Sequence, residues 1–392
     1  MKISLKRTPE QIELVKAMAS RNRDVAYEAQ VALAAFLGPV LAEVINNAPV
    51  LSNLFSPLSF NAEDNPSIPL DLYYDITDDD YIQVYSQSVA GGLPTNQVLP
   101  TTSEMKITTY TLDSALSFDK RYAAKSRMDV VSKTFTRMAQ EILSKQEKTS
   151  GNLILGALAS ASTNNLRHVQ RANATGRFLL QDMNELLTLS RRVFTSYTGG
   201  TRADGQAGMG ITDLLISPEI EEELRAMAYN PINTKGSPIS GTETASLKVD
   251  ADVRNTAFIT APDSVRVGLF NGGGVSSFYG VNLMVFNEFG VNRRFNTIFS
   301  TLANGSYLTA TGGSGQGTTF VAGTDEILLG INRNRESLIR AIAVDSESGS
   351  EFSLVADDQY SIRQNKIGYF GSLEEGRMVL DNRALFGKIV RH

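Results

Sequence analysis

The stretch that most constrains this chain is residues 117–148, which contains neither glycine nor proline. Its apolar side chains recur at the three-and-four spacing that lines one face of an α-helix: Val131, Phe135, Met138 and Ile142. Ser117 suits the N-cap of such a helix, and Gly151 suits its end. At about 1.5 Å per residue the helix would run roughly 45–50 Å, so the neighbouring elements must pack around it.

The outer face of this predicted helix is basic. The basic side chains outnumber the acidic ones there: Lys120, Arg121, Lys125, Arg127, Lys133, Arg137, Lys145 and Lys148 against Asp119, Asp129, Glu141 and Glu147. Such a face can contact nucleic acid, pair with an acidic segment, or be an ordinary solvated surface. The sequence leaves these three interpretations open.

The composition excludes several classes of protein. The chain has 392 residues, of which 42% are hydrophobic and 20% charged, enough for two or three compact lobes. It has no cysteine, which excludes disulfides, zinc-thiolate sites and cysteine nucleophiles. The formal net charge of −5 does not indicate a general nucleic-acid binder. No apolar run is long enough for a membrane span, and the first residues lack a signal-peptide core, so we expect cytoplasmic synthesis and no membrane partner.

The first 60 residues are predicted to be an N-terminal arm. Thr8 can cap a helix that has Pro9 at its first position, and apolar residues then recur as far as Phe36. Gly38 and Pro39 are expected to end this helix. The helix either folds back on its own domain or docks on a neighbouring subunit. Residues 46–69 are rich in Asn, Pro and Ser and are predicted to be a linker.

Residues 61–116 are predicted to form an extended β-hairpin loop. Apolar and polar residues alternate over residues 68–76, and a threonine-rich strand returns over residues 104–112. Between them lie an acidic step and a glycine turn: Asp78, Asp79, Asp80, Gly91 and Gly92. A two-stranded hairpin is marginally stable in water. This one therefore needs another surface, in this chain or in another copy.

The remainder alternates helical and strand-like segments. Asp182 and Glu185 are predicted to form a capping box at the start of a helix. A buried strand at residues 211–216 is followed by Ser217 and Pro218, which open another helix. Short strand-like runs then continue to the end of the chain. The whole is an α+β pattern.

The sequence offers little material for catalysis or for cofactor and metal binding. Its histidines are His168, predicted to be solvated in a polar loop, and His392 at the last position. The glycine-rich run at residues 312–317 lacks the Lys-Ser/Thr ending of a P-loop and is expected to be a surface loop. Asp78–Asp80 and the Asp357-Asp358 pair are more typical of acidic turns than of cation sites. We predict no catalytic residue, no cofactor and no metal, and therefore no enzyme.

Two runs in the last third of the chain resemble a known family. Residues 278–290, FYGVNLMVFNEFG, are similar to the central strand of the α/β lobe in major capsid proteins of tailed bacteriophages. Residues 352–390 resemble the return strands of the same proteins, with Tyr360, Gly376 and Asp381 in familiar places. The order of arm, hairpin, long helix and α/β lobe also resembles this Hong Kong 97-type fold.

The resemblance implies a structural shell subunit. It divides the chain into an N-terminal arm at 1–60, a hairpin loop at 61–116, a spine helix with the start of a peripheral domain at 117–177, an axial lobe at 178–345 and a peripheral return at 346–392. Pentamers and hexamers would form an icosahedral virion capsid, assembled in the host cytoplasm, around double-stranded DNA held by non-specific contacts. Further partners implied are scaffolding, portal or decoration proteins. An encapsulin-like compartment that encloses enzymes is the alternative.

Under this resemblance the predicted assembly contacts are the acidic step and glycine turn of the hairpin, together with the basic start of the spine helix. They are Asp78, Asp79, Asp80, Gly91, Gly92, Lys120, Arg121, Lys125 and Arg127. Opposite charges on the two segments fit a contact between neighbouring subunits.

Overall fold

The computed structural model describes residues 8–46, 51–61, 63–69, 104–163, 166–175, 178–193, 210–229, 277–303, 320–344, 350–357 and 365–392. The chain divides into two compact units. The first comprises Met1–Leu153 with Glu336–Leu380, and the second comprises Ile154–Arg335 with Asp381–His392. Among the described residues helices and strands mix within each unit, as the α+β prediction expected.

A five-stranded sheet forms the frame of the first unit. Its members are β1 (Ser56–Asn61), β4 (Thr109–Asp119), β12 (Leu338–Val344), β13 (Ser353–Asp357) and β14 (Lys366–Val379). The order is β1-β12-β14-β13, and β4 pairs with the opposite edge of β14. The β4–β14 ladder is antiparallel and runs from the Asp119–Lys366 pair to the Thr109–Gly376 pair. This ladder is the longest register in the described sheets.

The long helix, α4, spans Met128–Ser160 and is 33 residues long. Its predicted apolar face is confirmed, because Val131, Phe135, Met138 and Ile142 are all buried in the core of the first unit. Both predicted ends are wrong. Helix α4 continues through Gly151 because the apolar side chains that follow are buried, and packing outweighs the weak helix propensity of glycine.

The start of the predicted helix is instead a strand and a short helix. Residues 109–119 form β4, which hydrogen-bonds to the backbone of β14. Asp119 then caps α3 (Lys120–Ala124), because its carboxylate accepts the Arg121 N–H at 2.9 Å. Ser126 has φ of 51°, in the left-handed region, which separates α3 from α4. The apolar periodicity therefore predicts α4 correctly. The first part of the predicted helix is instead the end of β4, with Asp119 as the cap of α3.

The N-terminal region forms α1 (Pro9–Ala17) and α2 (Arg23–Asn46). Thr8 caps α1 as predicted, accepting the Gln11 N–H at 3.4 Å. The expected stop at Pro39 is wrong, since α2 continues to Asn46. Leu37, Leu41 and Ile45 are buried on one face, so packing sustains the helix across the proline.

The described part of the predicted arm folds back on the first unit. Val15, Met18, Leu33 and Leu41 belong to the same apolar cluster as Phe135 of α4. The Tyr369 hydroxyl on β14 also donates to the Met18 sulfur at 3.1 Å. Of the two alternatives for this helix, fold-back is therefore what the described residues show. Docking on a neighbour stays a prediction.

The predicted linker contains a strand. Residues 51–54 form a short 3₁₀ helix, and β1 pairs in parallel with β12 from Ser56 to Asn61. A parallel partner strand supplies hydrogen bonds that the Asn- and Ser-rich composition did not indicate. The base of the predicted hairpin is a short antiparallel pair, β2 (Ser67–Pro69) with β3 (Glu104–Lys106). Residues 70–103, including the predicted acidic step and glycine turn, lie outside the described residues.

A six-stranded sheet forms the frame of the second unit, in the order β7-β15-β11-β8-β10-β9. Its strands are β7 (Val169–Thr175), β8 (Asp213–Ile216), β9 (Ser277–Phe278), β10 (Val281–Val285), β11 (Asp325–Ile331) and β15 (Leu385–Arg391). The accompanying helices are α5 (Leu180–Arg192), α6 (Pro218–Tyr229) and α7 (Arg294–Ala303), and β5 (Ser162–Thr163) pairs with β6 (Leu166–Arg167).

The sequence located one feature of this unit correctly and misplaced another. The predicted strand-to-helix step is confirmed as β8 followed by α6, and the Ser217 hydroxyl accepts the Ile220 N–H at 3.1 Å. The predicted start of α5 is wrong. Leu179 is the N-cap, and Asp182 is the third helical residue, whose carboxylate accepts the Leu179 N–H at 2.8 Å.

The two units have different bounds from the predicted domains. Residues 381–392 belong to the second unit because β15 pairs with β7 and β11, whereas the prediction assigned 346–392 to one peripheral region. Residues 336–345 belong to the first unit, through β12, rather than to the predicted axial lobe. Both differences arise from pairing between strands far apart in the chain.

Candidate assembly surface

The basic patch predicted at the start of the spine helix is an exposed surface of the first unit. It consists of Lys120, Arg121, Lys125 and Arg127, which lie on α3 and on the turn that leads into α4. Arg121, Lys125 and Arg127 are exposed, and Lys120 is half-buried. All four residues lie within residues 120–127, a segment that includes the left-handed turn at Ser126.

One member of this patch is already paired. The Arg121 guanidinium lies 2.9 Å from Oδ2 of Asp119, and the Arg121 backbone N–H donates to the same carboxylate. The side-chain hydrogen bond first and the backbone hydrogen bond second lower the pKa of Asp119. The side-chain hydrogen bond and the negative charge of Asp119 raise the pKa of Arg121. A partner would therefore interact more directly with the positive charges of Lys125 and Arg127 than with that of Arg121.

The exposed face of α4 extends the basic patch along the first unit. Lys133, Arg137, Lys145 and Lys148 are exposed at intervals of three to eight residues. Glu141 lies four residues from both Arg137 and Lys145, a spacing that supports intrahelical pairing. The exposed face thus remains basic, with partial compensation near its middle.

A buried polar cluster fixes α4 to the sheet beneath it. Glu375 on β14 is fully buried, and its Oε2 lies 2.9 Å from Arg340 Nε and 3.0 Å from Arg377 Nη2. The Gln146 amide of α4 donates to the same oxygen at 3.0 Å. Arg377 also donates to the Ser150 hydroxyl of α4. One carboxylate therefore joins two strands and the spine helix.

The protonation states of this cluster follow from its surroundings. Burial alone would raise the pKa of Glu375, but Arg377 and Arg340 outweigh it, so the pKa lies below its usual value. Burial, with Glu375 as a second cause, raises the pKa of Tyr110 to about 12. Burial lowers the pKa of Arg340. The cluster is a charged carboxylate between two guanidinium groups, with a neutral phenol.

Sequence reasoning missed this cluster, although a signal was present. Residues 369, 371, 373, 375 and 377 share one face of β14 because side chains alternate along a strand. Tyr369 and Leu373 on that face are buried, so Glu375 and Arg377 had to be buried with them. Charged residues that alternate with core residues are the sign of an internal ion pair.

The outer face of α2 carries exposed apolar side chains. Phe36 is 54% exposed, Val31 43% and Tyr27 41%. Beside it, a groove of about 350 Å³ lies between α1, α2 and the start of α4. It is lined by Glu10, Gln11, Leu14, Val15, Leu33, Phe36 and Met128. Clustered exposed apolar residues are typical of interaction surfaces.

Within the described residues, Arg23–Ile45 is long and apolar enough to cross a membrane. The helix lies near the N-terminus, where a signal sequence passes the same test, and so does the core helix of a soluble protein. Leu33, Leu37 and Leu41 on its inner face are buried in the first unit. The prediction rested on the lack of an uninterrupted apolar run, and Glu28 and Glu43 do interrupt the apolar residues of this helix.

Both histidines lie in the second unit. The prediction for His168 is wrong, because it is fully buried rather than solvated in a loop. Its Nδ1 lies 3.0 Å from the Asn382 carbonyl and 3.1 Å from that of Leu385, and its ring stacks on Phe386. Burial lowers the pKa of His168, against the opposing effect of these hydrogen bonds. The polar sequence around His168 did not indicate that its ring is buried beside β15.

His392 is also engaged rather than free at the end of the chain. Its Nε2 lies 2.9 Å from Oε2 of the buried Glu326, which raises the pKa of His392. The pKa of His168 is therefore shifted down and that of His392 up. The two residues belong to different clusters of this unit.

The described residues contain no group of three or more His, Cys, Asp or Glu side chains that would hold a metal ion. Asp357 lies in β13 rather than in the predicted turn, and Asp358 lies outside the described part of the chain, as does the glycine-rich run at 312–317. What the described surface offers is charge and apolar area for contacts between macromolecules.

Comparison with known proteins returned solved structures that match at low identity, but no similar sequences. No family model matches the chain, and no curated protein matches it. The capsid of the cyanophage P-SCSP1u is 12% identical, with 88% of each chain covered and a TM-score of 0.47. The cyanophage Pam1 capsid asymmetric unit is 13% identical, covering 86% of this chain and 88% of that one, with a TM-score of 0.45.

A third similar structure is the holo-SrpI encapsulin complex from Synechococcus elongatus PCC 7942. It is 12% identical, covers 86% of this chain and 85% of its own, and has a TM-score of 0.42. By their own descriptions, two of these structures are cyanophage capsids and the third is an encapsulin complex.

Proposed function

We propose that this chain is the major capsid protein of a tailed bacteriophage, which self-assembles through pentamers and hexamers into an icosahedral shell around double-stranded DNA. The observation that carries the proposal is the pairing of β4 with β14 along 11 residues. This ladder connects the base of the predicted hairpin directly to the frame that supports the basic helix α4. The order is the one that the sequence resemblance implies.

The proposed contact between subunits joins opposite charges. Asp78, Asp79 and Asp80 of one subunit would face Lys125 and Arg127 of the next. The glycine turn at Gly91 and Gly92 would lie at the end of the reaching loop. Lys120 and Arg121 complete the basic surface, although Arg121 already has Asp119 as a partner. Electrostatic complementarity of this kind favours association and correct register.

The remaining surfaces have proposed roles in the same assembly. The exposed apolar face of α2 fits a contact between neighbouring subunits. Residues 1–60 would then act as an arm toward a neighbour while their helices also pack on their own subunit. The second unit would contribute the lobe that packs around the pentamer and hexamer axes, and the first unit would be peripheral. Weak individual contacts suffice when each subunit touches many neighbours.

Other partners follow from the same proposal. The packaged DNA would touch the shell through non-specific contacts, and scaffolding, portal or decoration proteins would bind during assembly in the host cytoplasm. The protein would have a structural rather than an enzymatic role. The shell would enclose the DNA without binding it tightly. If emptied shells retained linear DNA in a steeply salt-dependent manner, the shell would bind DNA electrostatically and this part of the proposal would be wrong.

Electron microscopy of the purified protein, with sedimentation as a check, tests the proposed function. We expect closed shells, tubes, or pentamer and hexamer rings, with or without an added scaffolding partner. Failure to assemble under any condition would overturn the capsid assignment. Shells that contain one co-purifying enzyme and no phage DNA would instead indicate the encapsulin-like alternative.

Deletion of residues 88–103 tests the role of the hairpin. We expect a folded, soluble subunit that fails to form stable shells. Normal shells from this variant would show that the hairpin is not an intersubunit element. An unchanged circular dichroism spectrum serves as the control for folding.

A further inference from the structure

Lys388 on β15 is a fully buried lysine held against two carboxylates of α5. Its Nζ lies 2.7 Å from Oε2 of Glu185 and 3.4 Å from Oδ1 of Asp182. The side chains of Lys388 and Asp182 are 0% exposed, and that of Glu185 is 35% exposed. Lysine is almost never fully buried in proteins. The triad therefore differs from the surface ion pairs of this chain.

The surroundings of the amine are apolar. Phe386 and Val390 lie two residues to either side of Lys388 on β15 and share its face. Both belong to the apolar cluster of the second unit, as do Met183 and Leu186 of α5. In such surroundings two fully buried opposite charges carry a desolvation cost that their attraction only partly offsets.

The Asp182 carboxyl group is held in a fixed orientation. Its Oδ2 accepts the Leu179 backbone N–H at 2.8 Å, while its Oδ1 faces the Lys388 amine. An N–H donor aimed at a carboxyl oxygen stabilises the negative charge that develops there when a nucleophile attacks the carbon. The amine and the carboxyl carbon are thus held close together by α5 and β15.

We propose that Lys388 and Asp182 form an intrachain isopeptide bond. Glu185 accepts a proton from the Lys388 ammonium and passes it to Oδ1 of Asp182, and the freed amine attacks Cγ of the resulting neutral carboxylic acid. The Leu179 N–H holds the single oxyanion that forms at Oδ2. Oδ1 then receives a second proton from the nitrogen and leaves as water. One C–N bond forms, one C–O bond breaks, and Glu185 returns to its starting state.

The burial of the three side chains identifies Asp182 rather than Glu185 as the carboxyl that reacts. Condensation with Asp182 converts the two fully buried charges into a neutral amide. It leaves Glu185, which reaches solvent, as the remaining charge. Condensation with Glu185 would instead leave the fully buried Asp182 charged and without its ammonium. The 2.7 Å contact suits Glu185 for proton transfer.

Intact mass spectrometry of the full chain under denaturing conditions tests the proposal. We expect a mass below that of the sequence by one water, about 18 Da, because the condensation releases water. Proteolysis should then release a branched peptide that joins the segment around Lys388 to the segment around Asp182. Full sequence mass would overturn the proposal. A branch at Glu185, or a lost water without any branch, would also overturn it.

Three variants separate the bond from a structural ion pair. Lys388→Arg keeps the positive charge but not the primary amine, and should give the full sequence mass. Asp182→Asn can still react and releases ammonia, so its mass deficit should change to about 17 Da. Glu185→Gln removes the proton acceptor and should slow bond formation at least tenfold. An unchanged rate in Glu185→Gln would contradict the role of Glu185.

Discussion

The hydroxyl of Tyr110 on β4 donates a hydrogen bond of 2.8 Å to Oε1 of the buried Glu375 on β14. Tyr110 lies close to the base of the predicted hairpin, and Glu375 holds two arginines and the amide of Gln146. The strand that leads to the hairpin and the spine helix are therefore attached to the same carboxylate. A change at this carboxylate should loosen both.

Glu375→Gln should destabilise the first unit by about 3–5 kcal/mol, because it removes the buried carboxylate that lies 2.9 Å from Arg340 and 3.0 Å from Arg377. Urea unfolding followed by circular dichroism measures the loss. Glu374→Gln is the matched control on the same strand. Glu374 is half-buried, so we expect a change within about 0.5 kcal/mol. Equal effects of the two substitutions would contradict the role of Glu375.

Gly371→Ala should destabilise the protein by about 1–3 kcal/mol through overpacking. A Cβ at Gly371 would meet the Met138 side chain and come within 2.5 Å of Phe352 Cζ. Gly38→Ala is the contrasting control, since its Cβ would come no closer than 3.9 Å to the nearest atom. In a helix interior that change should stabilise by up to about 1 kcal/mol. Thermal unfolding of both variants measures the difference, and equal melting temperatures would contradict the close packing at Gly371.

The stability of the chain should fall with acid in a manner that depends on His168. Burial lowers the pKa of His168 below its ordinary value of 6.5, so the unfolded chain binds the proton more readily than the folded one. The free energy of unfolding therefore decreases as the pH falls below about 6.5. Asp381 is the nearby charge that opposes this shift, and it pairs with Arg335 and Arg383.

His168→Gln should reduce this acid dependence, because glutamine can still donate to the two carbonyls but does not titrate. The measurement is urea unfolding at about pH 7.5 and about pH 5.5, on either side of the ordinary histidine pKa. His392→Gln is the control with the opposite sign. The raised pKa of His392 gives stability that is present below 6.5 and lost as pH rises through the raised value. Identical pH profiles for wild type and His168→Gln would show that His168 does not titrate on unfolding.

Reversing the charges at Lys125 and Arg127 should reduce the yield of shells at least tenfold while the subunit remains folded. Both side chains are exposed, so the effect on stability should stay within about 0.5 kcal/mol. Lys145→Glu with Lys148→Glu, on the exposed face of α4, is the matched control. Sedimentation at several salt concentrations measures assembly. If both pairs reduced the yield equally, the basic patch would have no special role.

The exposed apolar face of α2 should matter for association and not for folding. Phe36→Ser with Val31→Ser changes side chains that are 54% and 43% exposed, so the melting temperature should change little. We expect fewer or less stable shells by electron microscopy, since an apolar contact would be lost. Leu33→Ser, on the buried face of the same helix, should instead unfold the first unit. Normal shells from the Phe36 and Val31 variant would exclude this face from the assembly.

The sequence identified the elements whose signals are local. The apolar face of α4, the Thr8 cap and the β8–α6 step could be predicted because each depends on residues within a few positions of one another. Helix ends were less predictable. Pro39 and Gly151 are stop signals by local chemistry, but buried leucine and isoleucine side chains beyond them keep both helices continuous.

Contacts between distant parts of the chain determined the rest. Three features depend on partners more than 200 residues away in the chain. They are the pairing of β1 with β12, the pairing of β15 with β7, and the burial of His168 beside β15. The charged clusters at Glu375 and Lys388 have the same origin, because alternation along a strand indicates which residues share a face but not which face is covered. By itself the sequence determined the composition, the spine and the layout of the chain. Only the tertiary structure decided which charges are buried together, since burial results from the pairing of strands and helices that local periodicity does not specify.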